Sequence, residues 1–299
     1  MEPITLTFLG TGNAIPTPTR NHSALMLTYK NLGLLIDCGE GTQRQFPQAE
    51  LSPHKITHLC ITHWHGDHIL GLPGLIQSLG MSDYAKTLHL YGPKGSVHFM
   101  HTISQLITGM PIKIEVHEVT PGTIVETPEW KIEAFAVYHE CPALGYSFII
   151  KEKTRLDKTK LKKLKLPNIP QLGQLAVGKA ITVNGKTIKP SQVTYQEPER
   201  KVTVILDTGY KPILAEHAKG AQLLITEASF AQEETDKAQE YHHLTSTQAA
   251  NIAKQAKAQA LMLTHISQRY EHRTDLLLKE AKKVFKNTQT AKDFDSLTL

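Results

Sequence analysis

Residues 63–68 read His-Trp-His-Gly-Asp-His, so His63, His65, Asp67 and His68 fall within six positions. Imidazole nitrogen and carboxylate oxygen are the donors that zinc and similar divalent metals prefer. The spacing gives these donors a common target. On an extended strand His63 and His65 project from one face, because side chains repeat every second residue. Gly66 permits a sharp turn, after which Asp67 and His68 can face the same point from the start of a helix. A satisfied core histidine would explain one such residue, whereas four converging ones indicate a metal centre. Three more candidates share a pattern, a polar residue closing an apolar strand-like run: His139 after 132–138, Asp207 after 202–206 and His265 after 260–264. Alone, each reads more naturally as a cap or surface residue. Strand ends along one sheet edge are nevertheless where open sheets place ligands. With the hexapeptide these residues supply enough donors for two metals. Two ions roughly 3.5–4 Å apart, sharing Asp207 and a hydroxide, suit in-line displacement at phosphorus.

The elements that must carry these residues are legible from periodicity. Two-residue alternation predicts a strand at 4–9, and short, largely apolar segments predict strands at 23–27, 32–37, 56–62, 88–91, 112–119, 130–139 and 146–150, and again at 201–206, 222–226 and 260–264. Helical spacing appears at 69–79, 245–258 and 275–285, the last predicted to close the chain. Residues 166–196 hold Pro, Gly and short strand signals and predict no helix. Two successive halves, each of strands followed by helices, predict an α/β fold of sheets covered by helices, with an insertion near 151–196.

Composition narrows the class. The 299 residues are 40% hydrophobic and 20% charged, enough for a substantial core. No apolar run is long enough to span a bilayer, and Met1-Glu2-Pro3-Ile4-Thr5 lacks the features of a signal peptide. Three cysteines (Cys38, Cys60 and Cys141) argue against a disulfide framework and for a reducing, cytoplasmic setting. The +5 net charge is local: Lys151–Lys165 holds eight basic and two acidic residues, leaving the remainder slightly negative. Such a cluster reads either as a solvated helix face or as an anion footprint, with nucleic acid the leading partner. Gly10 and Gly12 precede no Lys-Ser or Lys-Thr at phosphate-loop spacing, so a turn is expected there.

The hexapeptide with His139, Asp207 and His265 resembles the metallo-β-lactamase superfamily. Within it the chain is similar to the ribonuclease Z family, endonucleases that mature the 3′ end of transfer RNA. The narrower resemblance rests on Gly10-Thr11-Gly12-Asn13-Ala14-Ile15-Pro16-Thr17 with Arg20-Asn21, on Asp37-Cys38-Gly39-Glu40-Gly41-Thr42, and on Thr264-His265-Ile266-Ser267-Gln268-Arg269-Tyr270. It implies one αββα domain over residues 1–299, two mixed sheets flanked by helices, with a flexible transfer-RNA-binding arm at about 151–196. It also implies two zinc ions per subunit, or manganese in their place: His63, His65 and His139 on one, Asp67, His68 and His265 on the other, Asp207 bridging. His243 matches the family's His-Ser-Thr histidine, here His243-Leu244-Thr245, with His242 beside it as a second candidate. Thr226 stands where the family's His-Glu-Ala-Thr loop has its histidine, and Glu227 is retained.

The implied reaction removes the 3′ trailer from precursor transfer RNA, with Asp67 as general base and His243, oriented by Glu227, as general acid. Lys158, Lys160, Lys162, Lys163 and Lys165 would hold RNA phosphates from the arm, which positions an RNA without reading its sequence. The family's arms carry Gly-Pro before Gly-x-Leu, whereas here Ile169-Pro170 precedes Gly173-Gln174-Leu175. Arg20 and Asn21 either meet the RNA end or, through an Arg20–carboxylate pair, hold their own loop. The resemblance further implies a homodimer whose arm serves the partner's site. Competing readings are another hydrolase of the superfamily, such as an arylsulfatase, a lactonase or a cyclic-nucleotide phosphodiesterase, and an RNA-binding module without catalysis. A +6 arm has little purpose in the former, and an intact Asp67 and His243 have none in the latter.

Overall fold

The computed structural model describes residues 2–107, 109–183 and 185–299. Largely apolar segments, buried along nearly their whole length, build the first sheet from the N-terminus. Strands β1 (Thr5–Gly10), β2 (Ala24–Tyr29) and β3 (Leu32–Ile36) form an antiparallel meander. Strands β4 (His58–Cys60), β5 (Leu88–Gly92) and β6 (Ile114–Glu118) then add in parallel, which requires a crossover before each. Helices α1 (Thr42–Gln48), α2 (Gly66–Ile69), α3 (Leu72–Met81) and α4 (Ser96–Leu106) lie in those crossovers. Leu35, Leu59 and Leu90 from the sheet pack with Phe46 of α1, Leu75 and Leu79 of α3 and Met100 of α4.

The second sheet begins with β7 (Gly122–Glu126), β8 (Trp130–Ala136) and β9 (Leu144–Ile150). The chain then enters β10 (Lys153–Leu156), α5 (Lys158–Lys163), α6 (Leu172–Ala176), the hairpin β11 (Ile181–Val183) and β12 (Lys186–Ile188), the helical turn α7 (Pro190–Val193) and β13 (Thr194–Glu197). Residues Thr127–Lys131 and Ile149–Arg200 make up a compact unit of their own. Its core is Leu172, Leu175, Ile181, Val183, Ile188 and Val193, and Arg155 bonds Glu197 at 2.8 Å across the β10–β13 pair. Two short helices therefore stand where 166–196 predicted none. Leu172 and Leu175 lie at i and i+3, too short a repeat to register as a helix, and the core around them supplies the burial that local propensity does not.

The remaining segment completes the second sheet. Strands β14 (Arg200–Ile205), β15 (Leu223–Glu227), β16 (Leu261–Thr264) and β17 (Thr288–Thr290) run parallel, in the spatial order β17-β16-β15-β14-β9-β8-β7. Between them lie α8 (Ile213–His217), α9 (Thr235–Glu240), α10 (Ser246–Gln255) and α11 (Thr274–Val284). Alternation divides the strand residues between two faces. Ile205, Leu224, Leu261 and Leu263 pack with Leu214, Ala249, Ala253 and Leu277 of the helices. Val204, Leu206 and Ile225 instead line a space shared with Phe8, Leu25 and Ile36 of the first sheet. Two mixed sheets flanked by helices result.

The chain does not close at the last helix. After α11 come β17 and a terminal strand, β18 (Ser296–Thr298), which pairs antiparallel with β1. Both strands have three residues, too few for alternation to show in the sequence. Helices α1 and α4 were likewise not anticipated: Pro47 lies inside α1, and α4 buries only Ser96, Met100 and Ile103.

Candidate metal centre

Strand ends deliver the donors. His63 and His65 follow β4, Asp67 and His68 lie in α2, Asp207 follows β14 and His265 follows β16. His139 stands three residues beyond the end of β8, which stops at Ala136 instead of running to 139. The donors gather in two groups, His63/His65/His139 and Asp67/His68/Asp207/His265, each with ligand atoms within 4.8 Å of one another. Asp207 faces both: Oδ1 lies 3.4 Å from His68 Nε2 and 3.2 Å from His265 Nε2, and Oδ2 lies 3.8 Å from His63 Nε2. All seven predicted donors are thus brought together.

The arrangement fits divalent metal. His63 Nε2, His68 Nε2 and Asp207 Oδ1 are buried without a hydrogen-bond partner, a costly state unless a cation satisfies them. His139 Nε2 and His65 Nδ1 face each other at 3.2 Å, as two ligands of one ion would. The charges agree. Burial works to raise the Asp67 carboxyl, but His68 and His265 outweigh it and hold the group well below its ordinary range. Asp207 is also held low, the imidazoles of His265, His68 and His63 overcoming the effect of burial. His63 is pushed down, chiefly by burial and by His68, and so presents a neutral, ligating ring.

Outer contacts aim the rings, and one of their sources was not anticipated as functional. Asp37, fully buried after β3, accepts from Thr62 N (2.7 Å), Thr62 Oγ1 (2.8 Å) and His68 Nδ1 (2.7 Å). A carboxylate on the far nitrogen fixes the tautomer that turns Nε2 toward a metal. Its signal in the sequence was the one the donors gave, a polar residue ending an apolar strand. His63 Nδ1 lies 3.1 Å from Thr62 Oγ1, and His265 Nδ1 lies 3.0 Å from Ser229 Oγ, which donates to Glu227 Oε2. Asp37, Asp207 and His265 have φ of 58°, 36° and 55°. This left-handed backbone costs about 1–3 kcal/mol per residue and turns each side chain sharply out of its strand.

Glu227 ends β15 fully buried and accepts from Thr208 N at 2.7 Å. Both its oxygens lie 3.0 Å from His243 Nδ1. Burial would lower the His243 pKa, but the Glu227 carboxylate prevails and raises it to about 9. The His243 ring stands 5.5 Å from that of His139 and 5.6 Å from that of His265, at the border of both donor groups. His242 is exposed and offers its carbonyl to His139 Nδ1 at 3.4 Å, so the carboxylate orients His243 and not its neighbour. A capping box between Thr245 and Gln248 starts α10 two residues on and anchors this loop. An open cleft of about 700 Å³, lined by Tyr138, Gly209, Lys211, Gln239 and Gln248, adjoins His139 and His243.

Arg20 is only 5% exposed; its Nη1 donates to Thr11 Oγ1 (2.6 Å) and to the Ala291 carbonyl (2.8 Å). Asn21 donates from its backbone to Asp293 Oδ2 and from Nδ2 to the Glu40 carbonyl, both at 2.7 Å. These bonds tie both residues to neighbouring loops, Arg20 through a hydroxyl and a carbonyl in place of the carboxylate pair expected of it. Lys158, Lys160, Lys162, Lys163 and Lys165 are all exposed, four of them on or at the end of α5. Cys38 and Cys60 are fully buried small core residues, and Trp64 packs against the first sheet's helices, stacked on Phe99 at 4.8 Å.

Comparison with known proteins gives the arrangement a family. Ribonuclease Z of Methanothermobacter thermautotrophicus is 38% identical to the chain over 292 residues, 96% of this chain and 94% of that protein. The chain belongs to the ribonuclease Z family. Human tRNase Z, short form, superposes with a TM-score of 0.72 at 28% identity and 98% coverage of both chains. The metallo-β-lactamase fold protein YhfI of Bacillus subtilis reaches 0.73 at 19% identity and full coverage of both, a likeness of fold. A family described as Anti-Pycsar protein Apyc1 matches residues 4–160. That match takes in the hexapeptide and His139 but stops short of Asp207, His243 and His265, which the full-length ribonuclease Z similarity spans.

Proposed function

We propose that the protein is a zinc-dependent endoribonuclease that removes the 3′ trailer from precursor transfer RNA. His63, His65 and His139 would hold one zinc ion and Asp67, His68 and His265 the other, with Asp207 between them; the same donors accept manganese. Zinc at these donors supplies positive charge for the phosphate oxygens and a water that ionises near neutral pH. Asp67, ionised and flanked by His68 and His265, takes the attacking water's proton and orients its oxygen toward phosphorus. The phosphorus–3′-oxygen bond then breaks, and His243 donates a proton to the departing oxygen. Glu227 holds the His243 ring in place and stabilises its protonated form. The products are a transfer RNA ending in a 3′-hydroxyl and a trailer with a 5′-phosphate.

The observation that carries this reading is the seating of His243 on buried Glu227, beside both donor groups. A leaving alkoxide needs a general acid there. Incubation with a precursor transfer RNA bearing a labelled trailer tests it. A single cut at the trailer junction, abolished by a chelator and restored by zinc, is expected; cleavage indifferent to chelation would overturn it.

The same reading makes the basic unit a transfer-RNA-binding arm on a single catalytic domain. It takes the active form to be a homodimer in the cytoplasm, one subunit's arm serving the partner's site. Family membership and the exposed lysines support it, and no helix among the described residues is long and apolar enough to cross a membrane.

A further inference from the structure

We propose that His89, Glu115 and His117 form an additional site for a divalent transition metal, separate from the seven donors of the cleavage centre. The register of the parallel strands builds it. His89 on β5 pairs with Glu115 on β6, and Tyr91 pairs with His117 in the next row. His58 on β4 continues the first row on the other side of His89. Leu59, Leu90 and Val116 between them face the helices, so alternation sends all of these polar residues to the opposite face. Between ring centres, His58 to His89 is 5.5 Å along the row and His89 to His117 is 5.9 Å on the diagonal to the next.

The donor set and its geometry suit zinc. Two imidazoles and a carboxylate, with a fourth position open to solvent, are a common zinc ligand set, and their donor atoms here lie within 4.8 Å of one another. His89 Nδ1 is already 3.2 Å from Glu115 Oε2, and a tetrahedral zinc holds its ligands roughly 3.3 Å apart. His117 Nε2 is buried and has no hydrogen-bond partner, while its ring is held by stacking on Tyr91 at 4.8 Å. Glu115 meets Lys113 through its other oxygen, Oε1, at 2.7 Å. Its carboxyl lies below the usual range, chiefly through the Lys113 hydrogen bond, and so stays ionised. The His58 pKa falls to about 4 through burial and its histidine neighbours, which leaves the adjoining ring uncharged at neutral pH. The His89 and Glu115 side chains are 33% and 42% exposed, so an ion reaches them directly from solvent. A metal there would tie β5 to the edge strand β6.

Zinc content decides the matter on the full-length protein. Zinc-loaded protein, desalted to remove loose metal, is compared with the His89→Gln/His117→Gln variant, which keeps all seven donors of the cleavage centre. The variant is expected to hold one zinc fewer per chain; equal contents in two folded proteins would mean an ion pair only and overturn the proposal. Should the variant not fold, zinc-edge anomalous diffraction from the unmodified protein serves instead. A peak among His89, Glu115 and His117 supports the site, and a map without one overturns it. Neither readout depends on RNA cleavage.

Discussion

At the scale of single residues, the site separates groups that hold charge from groups that aim it. Asp207 is buried, and its ion-pair partners among the described residues are the imidazoles of His63, His68 and His265. Glu227, equally buried, is satisfied by Thr208 N, Ser229 Oγ and His243 Nδ1. On the proposed reading this difference makes Asp207 a ligand and Glu227 an orienter. His243→Ala should therefore lower kcat for precursor transfer RNA by about 10²–10⁴-fold, the usual contribution of a general acid. Zinc content, measured in parallel, should not change, because His243 is none of the seven donors. A parallel loss of zinc would assign the ring to the metal instead. Asp37 extends the same logic one shell outward. Its carboxylate serves two elements at once, the Thr62 backbone ahead of the hexapeptide and the His68 ring in α2.

At the scale of elements, close backbone packing places the hexapeptide. Cys38 N donates to the His68 carbonyl at 2.8 Å and Gly71 N to the Cys38 carbonyl at 2.9 Å, so the loop after β3 lies against α2. A Cβ added at Gly71 would overlap the carbonyl oxygen of Gly39, and one at Gly39 would overlap that of Asp67. Gly71→Ala should destabilise the fold by about 1–3 kcal/mol, the usual cost of overpacking. Thermal unfolding should register this as a Tm lower by on the order of 2–4 °C per kcal/mol. An unchanged Tm would show that the loop yields. These close approaches explain why glycines flank the motif, which the pattern of metal donors alone does not.

At the scale of the molecule, the basic residues concentrate in a unit with its own small core. Asp157 caps α5 by accepting from Thr159 N and Lys160 N, and the helix then presents its lysines to solvent. Replacing Lys158, Lys160, Lys162, Lys163 and Lys165 by alanine should raise KM for precursor transfer RNA on the order of tenfold or more with kcat little changed. The slope of log affinity against log salt should become shallower by roughly 0.7–0.9 for each RNA phosphate that a lysine no longer neutralises. Hydrolysis of a small phosphodiester should stay the same. An unaltered KM and salt slope would remove RNA binding from this unit.

The His and Asp side chains that gather in the two donor groups were legible in the sequence, as were the long strands and α3, α10 and α11, while His243 and Glu227 were reached through the family resemblance. Metal donors must be of particular chemical types, and strands buried on both faces must be apolar, so both leave marks that one chain displays alone. The pairing of Asp37 with His68, the anchoring of Arg20 on Thr11, and the three-residue strands β17 and β18 were decided only in three dimensions. So was the column His58–His89–Glu115. Each depends on register between segments far apart along the chain, and residue types say nothing of register until backbone hydrogen bonds and the packing of the apolar faces set it.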